Sequence, residues 1–320
     1  MKVLQLTTTP RSFFENQVTA LERQGVDCTT LAIPGSHRPD SPRSVGDYLK
    51  YAPAVLGHSL DGYDVVHANY GLTLPFALAQ PTRPVVCTLW GTDLMSDRRW
   101  LTALSRFGAR RADGVVVPSD AMTGELSVNN AVVPFGIDAD MFRPIPRDEA
   151  RERVGWDPDG TYVLFPYEST RPEKDYPRAR RIVEGCTADA ELKQVSGVDY
   201  EEMPYYMNAS DALLVTSRRE SGPMVVKEAA ACNVPVVSTD VGFVERTLTD
   251  VDNSFVADSD AALTSSLDDV LASDARSNGR EVLDGLGLDA MGEQLLGVYQ
   301  RVLDERGERA SLPSPRSVTR

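Results

Sequence analysis

Glu220-Ser-Gly-Pro-Met-Val-Val-Lys-Glu228, continued by Ala229-Ala-Ala-Cys-Asn-Val-Pro235-Val-Val-Ser-Thr-Asp-Val-Gly242, is the stretch that decides the fold. Two carboxylates sit eight positions apart, one before the Gly222-Pro223 break and one inside the helix that follows. Proline is tolerated in a first helical turn, so Gly222-Pro223 reads as a helix start. Asp211-Ala-Leu-Leu-Val215 ahead of it and Pro235-Val-Val-Ser-Thr239 behind it read as strands, which makes a parallel βαβ unit. The helix start offers unpaired N–H groups and the positive end of the dipole, a ready place for phosphate. Glu228 lies about a turn deeper, where a carboxylate reaches sugar or ribose hydroxyls. Such a site suits a sugar nucleotide.

Outward from this unit the same alternation continues. Lys2-Val-Leu-Gln-Leu6 is a first strand, and Ser12-Phe-Phe-Glu15 reads as a capping box opening a helix to about Gln24, with Gly25 as its stop. A strand over 27–33 ends at Pro34-Gly35, and residues 36–47 read as a polar loop. Strands recur at 64–68, 84–89, 113–117 and 131–134. A polar segment interrupted by Pro144, Pro146 and Gly155 separates them from a second series at 162–166, 191–196, 211–215, 235–239 and 254–257. Strands alternating with helices predict an α/β architecture with parallel, doubly wound sheets.

The double-Glu element resembles the Glu-x7-Glu signature of family 4 retaining glycosyltransferases (glycosyltransferase group 1), which have the GT-B fold. Further segments fall in that family's order: Asp64-Val-Val-His67, Thr88-Leu-Trp-Gly-Thr-Asp93, Ala112 to Ser119, Val133 to Asp138, Arg171 with Lys174, Asn208 to Ser217, Gly242 with Glu245, and Val298 to Leu303. The similarity covers all but about the last dozen residues. It implies two Rossmann-like domains facing across a cleft, with residues 1–145 on the acceptor side and 146–286 binding the nucleotide sugar. Residues 287–306 are expected to form a helix crossing back to the first domain, and the Pro-, Ser- and Arg-containing tail 307–320 is expected to be disordered.

Composition fits a soluble enzyme. A chain of 320 residues is long enough for two cores, and 42% apolar with 25% charged residues is ordinary globular usage. No apolar run reaches bilayer length, and the first residues read as a strand, so a cytoplasmic protein is expected. Cys28, Cys87, Cys186 and Cys232 are scattered and read as buried thiols. A net charge of −14 argues against nucleic acid, whose phosphates need a basic footprint. Five lysines against 28 arginines, with acidic residues leaning to Asp, suggest a halophilic source, although a GC-rich genome also favours Arg; strong ionic screening makes such a charge tolerable.

The resemblance also assigns roles. Glu220 corresponds to the glutamate facing the donor sugar and Glu228 to the one holding ribose hydroxyls, with Gly222, Pro223, Met224 and Val225 on the donor side. Arg171 and Lys174 follow the first strand of the second domain, the place for a phosphate clamp. Departure of a nucleoside diphosphate develops negative charge there, and fixed cations stabilise the transition state more than the ground state. Glu168-Ser-Thr-Arg171 departs from the family's common Gly-Arg-Leu, which shifts the arginine. On the acceptor side, Trp90 stands where the family often has His; Gly91 lets backbone approach a ligand. Asp93 either binds a sugar hydroxyl or caps the next helix, and Ser119 reads equally as a cap. His67 reads as a satisfied core residue. Asp138-Ala-Asp140 and Asp157-Pro-Asp159 match a short metal-binding pattern but arise readily by chance in an acidic chain, and the family implies neither metal nor cofactor.

The segment 98–111 puts Trp100, Leu104 and Phe107 on one helical stripe and Arg99, Arg106 and Arg110 on another. Such a helix lies on an anionic membrane or packs its apolar stripe on the sheet, the commoner fate. The expected function is a retaining, metal-independent glycosyltransferase moving a sugar from a nucleotide-sugar donor to a glycan or lipid-linked acceptor. Its rivals are another GT-B enzyme, an epimerase or phosphorylase, and a non-catalytic sugar-nucleotide-binding protein.

Overall fold

The computed structural model describes residues 1–35, 43–95, 98–220, 222–283 and 285–311. Six strands, β1 (Lys2–Thr7), β2 (Asp27–Ala32), β3 (Val65–Asn69), β4 (Val85–Thr88), β5 (Gly114–Val117) and β6 (Ala131–Val132), form one parallel sheet in the order β2-β1-β3-β4-β5-β6. Five more, β7 (Tyr162–Phe165), β8 (Glu191–Gln194), β9 (Ala212–Val215), β10 (Val236–Ser238) and β11 (Phe255–Val256), form a second in the order β11-β10-β9-β7-β8. The central strands are buried on both faces because helices cover both, whereas the edge strands β2 and β8 carry half-exposed polar residues. Every strand expected from the sequence is present.

In the first sheet the order reverses between β1 and β3, and in the second between β7 and β9. The connections leaving the two strands at such a point run to opposite faces, so a crevice opens beyond their carboxyl ends.

Against the first sheet lie α1 (Ser12–Arg23), α2 (Val45–His58), α3 (Leu74–Ala79), α4 (Thr92–Met95) and α5 (Arg99–Ala109). One face buries Leu4, Leu6, Val66 and Val85 against Tyr51 and Val55 of α2, Leu74 and Ala77 of α3, and Ala109 of α5. The opposite face carries a buried chain of amides and rings. Gln17 donates to Asn69 (2.8 Å), Asn69 to Gln5 (2.8 Å) and Gln5 to the Tyr299 hydroxyl (3.2 Å). His67 Nδ1 lies 2.6 Å from that hydroxyl and Nε2 lies 2.7 Å from Thr88 Oγ1. Burial pulls the His67 pKa down to about 3, so the ring is neutral. His67 is thus a core residue, and the network pins the C-terminal helix (Leu288–Ser311) to this sheet.

The chain divides into two compact units, one of Met1–Pro134 with the chain from Asp289 onward, the other Phe135–Leu288. The break lies earlier than residue 145, because Ile137 and Phe142 are buried in the second core beside Leu213, Val226 and Val236. Three local readings also change. Arg11, not Ser12, is the N-cap of α1, and no side chain caps it. A capping box does occur at Ser44 and Asp47, where Asp47 accepts from Ser44 N (2.8 Å), so α2 begins inside the stretch read as loop, whose residues 36–42 lie outside the described part. The last helix continues past Glu305 to Ser311, so 307–311 are helical; residues 312–320 lie outside the described part.

Candidate active site

The second sheet gathers most of the predicted residues beyond the carboxyl ends of β7 and β9, at its point of reversal. After β7 the chain makes a short 3-10 turn, Pro172–Lys174, and Asp175 then takes a left-handed conformation (φ 54°) before α7 (Tyr176–Glu184). Thr216, just past β9, donates its hydroxyl to the carbonyls of Lys174 (3.0 Å) and Asp175 (3.2 Å), which fixes that turn against the strand end. Arg218 reinforces it with a 2.8 Å bond to the Asp175 carboxylate.

Lys174 is held in three ways. Its ammonium pairs with the Glu220 carboxylate, sits 3.9 Å above the centre of the Tyr167 ring, and is buried. Ser217 donates to the same Glu220 oxygen at 2.9 Å. Burial pulls Lys174 below the ordinary lysine range, while the facing Glu220 opposes the shift. Sequence had placed Glu220 and Lys174 46 positions apart; the fold makes them a pair. Arg171 does not join them. Both its Nε and Nη2 bond Glu173 Oε1, at 2.8 and 2.7 Å, and its side chain is about half exposed.

Helix α9 (Met224–Ala231) begins at Pro223, and its first helical bond runs from Val226 N to Pro223 O (3.1 Å). The amides of Met224 and Val225 precede that bond and mark the positive end of the helix. Gly222 is required by a close approach, because a Cβ there would overlap the Phe243 ring. Phe243, which offers no polar group, therefore serves as the floor of this turn. Lys227 is fully buried, donates to Phe135 O (2.6 Å) and lies 4.7 Å from the Phe243 ring centre; it ties the entry of the second unit to α9. Glu228 is buried on the same helix and accepts from the Tyr200 hydroxyl at 2.9 Å. Burial pushes its pKa up to about 7 despite that hydrogen bond.

Two profiles match the chain. One, described as "Glycosyl transferases group 1", spans residues 174–281; another, described as "Glycosyl transferase 4-like domain", spans residues 3–136. The first begins at Lys174 and contains both glutamates.

The chain belongs to the group 1 glycosyltransferases.

A curated relative, the lipopolysaccharide core biosynthesis mannosyltransferase LpsB of Rhizobium meliloti, is 28% identical over 181 residues, covering 46% of this chain and 51% of its own length. The chain thus spans about half the length of that relative. Among solved structures, the sucrose-phosphate synthase of Thermosynechococcus elongatus superposes with a TM-score of 0.78 at 17% identity, over 95% of this chain and all of the other. The Anabaena HepE protein in complex with UDP and glucose gives 0.73 at 16% identity, over 94% of this chain and 100% of its own. These structures establish the GT-B fold of the chain.

On the first unit, Asp93 proves to be a clamp. It is fully buried, and its carboxylate accepts from the amides of Gly71 (3.0 Å), Trp90 (3.1 Å) and Gly91 (2.9 Å). Gly91 has φ 112°, a backbone that a side chain would strain. Burial raises the Asp93 pKa to about 6 against the pull of those amides. Ser119 stands at the start of the 3-10 turn Asp120–Glu125, but its hydroxyl makes no capping bond and is buried without a partner among the described residues. The two Asp-x-Asp pairs close turns: Asp138 accepts from Asp140 N (3.0 Å) and Asp157 from Asp159 N (2.9 Å). Among the described residues no group of three or more His, Cys, Asp or Glu is placed to hold a metal.

Sequence reasoning missed Tyr167, Tyr200 and Ser217 as site residues. Only Ser217 left a local signal, its position three residues before Glu220 at a strand end. The tyrosines arrive from other loops and obey no period.

Proposed function

We propose that the protein is a retaining glycosyltransferase that binds a nucleotide sugar on its second unit, between Lys174, Glu220 and the start of α9. The reading is carried by the cluster of Lys174, Glu220 and Ser217 at the reversal point of the sheet, with Glu228 behind it on α9. The amides of Met224 and Val225 receive the diphosphate, and Lys174 shifts from Glu220 toward it as the sugar–phosphate bond breaks. Arg171, released from half-buried Glu173, adds a second cation at the rim. Glu220 then faces the anomeric carbon, while Glu228 accepts from the ribose hydroxyls. An acceptor hydroxyl attacks from the side the nucleotide leaves and gives its proton to the departing phosphate oxygen, which needs no strong protein base. Neutral, buried His67 has no part in this. With protein cations serving the diphosphate, the reaction runs without a metal, in the cytoplasm.

A thermal-shift screen of UDP-, GDP- and ADP-sugars in high-salt buffer tests the reading. A donor at a hundred times its dissociation constant stabilises the fold by about 2.7 kcal/mol, and transfer continues in EDTA. Absence of any shift, or activity lost in EDTA and restored by manganese, contradicts it.

We further infer that α5 touches an anionic membrane carrying the acceptor. The helix turns Leu101, Ser105, Gly108 and Ala109 to the core, where small side chains allow close packing on Leu74. Trp100 and Phe107 are therefore not the packing stripe; they stand 59% and 51% exposed. Val45, Leu49 and Leu56 of α2, in the same helical layer, are exposed too. Aromatic rings beside arginines on an otherwise acidic protein match an interfacial helix. Among the described residues no helix is long and apolar enough to cross a membrane. Since Arg106 is paired with Glu125 (2.7 Å), Arg99→Glu with Trp100→Ser is the cleaner test. Wild type should sediment with phosphatidylglycerol vesicles at moderate salt and the double variant should not, with donor binding intact. Wild-type protein that stays in the supernatant refutes the contact.

A further inference from the structure

At the reversal point of the first sheet, between the carboxyl ends of β1 and β3, three aromatic side chains meet. Phe13 stands in the first turn of α1, Tyr70 directly follows β3, and Trp90 follows β4. Trp90 lies edge-on to Phe13, with ring centres 4.7 Å apart at 89°, and 5.7 Å from Tyr70 at 40°. Buried Phe14 backs it at 6.3 Å. The other three rings are all partly exposed. They are edged by the Tyr70 hydroxyl, which accepts from Thr92 Oγ1 at 3.3 Å.

Two features of this cluster oppose stability. Tyr70 has φ 81°, a left-handed backbone that glycine adopts freely and tyrosine does not. Among the described residues the indole N–H of Trp90 is buried without a partner, which phenylalanine in its place would avoid. Strain of this kind persists where surrounding structure enforces it and function uses it. Asp93 does the enforcing, since its carboxylate clamps the amides of Gly71, Trp90 and Gly91, the residues that carry the two strained turns.

We propose that Phe13, Tyr70 and Trp90 form a stacking platform for a pyranose ring of the acceptor, with Asp93 as its positioning residue. This rests on the glycosyltransferase reading above. A pyranose presents an apolar face of C–H groups rimmed by hydroxyls. The negative face of an aromatic ring attracts such C–H groups, and the Tyr70 and Thr92 hydroxyls suit the rim. The acceptor is therefore a saccharide that shows a ring face, rather than a lipid hydroxyl or an open-chain polyol.

Saturation-transfer NMR on the full-length protein with methyl glycosides of glucose, galactose and mannose, and glycerol as a control, tests the platform. Irradiating aromatic protons should saturate the C–H groups on one face of at least one glycoside and leave glycerol unmarked. Trp90→Ala should weaken that glycoside about tenfold, the scale of one good aromatic contact, and leave nucleotide-sugar binding unchanged. Trp90→Phe and Tyr70→Gly guard against misfolding, because each removes a source of strain. Their melting temperatures should hold or rise while glycoside affinity falls. Variants that melt lower yet bind the glycoside like wild type would show a purely structural cluster. A wild type that binds nucleotide sugar but transfers saturation to no glycoside would equally overturn the platform. Failure to bind any nucleotide sugar would instead strike the glycosyltransferase reading itself.

Discussion

Lys174→Ala is expected to lower turnover by about a hundred- to a thousandfold, the cost of deleting one preorganised group aimed at developing charge. It should also destabilise the fold, because Glu220 would keep its burial and lose its countercharge. Breaking a buried pair from one side costs about 3–5 kcal/mol, with the lower end apt for a carboxylate that retains some solvent contact and the Ser217 hydroxyl. The double variant Lys174→Ala with Glu220→Gln separates the two effects. Removing both charges should restore most of the lost stability while turnover stays at or below the level of Lys174→Ala. Glu220→Gln alone should bind donor normally and turn over slowly, since its carboxylate faces charge that develops only during reaction. Denaturant melts beside single-turnover rates measure both quantities. A double variant that recovers turnover along with stability would make the pair structural.

Glu228 should make fold stability and donor affinity respond to pH in opposite directions. Its folded pKa, about 7, lies above the ordinary glutamate value of 4.5 because the carboxyl is buried. Between these values the folded state holds a proton that the unfolded state releases. The stabilisation from this group is therefore complete below about 4.5 and is lost as pH rises through 7, a change of about 3 kcal/mol. Ribose hydroxyls, however, donate to the ionised carboxylate. Donor affinity should accordingly rise with pH, by up to about tenfold per unit, and level off above 7. Glu228→Gln removes the titration. Its stability should lose this slope and exceed that of wild type at pH 8, while donor binding becomes weak and flat with pH. Melts and calorimetry across pH 5–8 read both curves. Parallel slopes in wild type and variant would exclude Glu228 as the titrating group.

The fold was legible because parallel strands covered on both faces appear as short apolar runs, such as Val85 to Thr88 and Ala212 to Val215, spaced by helical segments. Order within a sheet is not written so locally, yet the crossover rules for βαβ units leave few choices. The errors fell where local chemistry has look-alikes. Ser12 and Glu15 have the spacing of a capping box, but the helix starts one residue earlier; Ser44 and Asp47 form one with an aspartate in the glutamate's place. In the site, Lys174, Glu220 and Glu228 were legible through motif order. Arg171 was harder, because its neighbour Glu173 competes for it over two residues. Asp93 looked equally like a sugar ligand and a cap until three amides were seen to occupy it. Tyr167, Tyr200 and the ring cluster around Trp90 come together only through tertiary contacts between loops, which leave no periodic trace.

The most direct test of the central claim needs no acceptor. Real-time proton and phosphorus NMR can follow the slow hydrolysis of an α-linked nucleotide sugar chosen by the thermal-shift screen, with water in the place of the acceptor hydroxyl. A retaining transfer site predicts nucleoside diphosphate and, before mutarotation, the α-anomer of the free sugar, both slowed by Lys174→Ala. Release of nucleoside monophosphate with sugar 1-phosphate, or of the β-anomer first, would contradict the account.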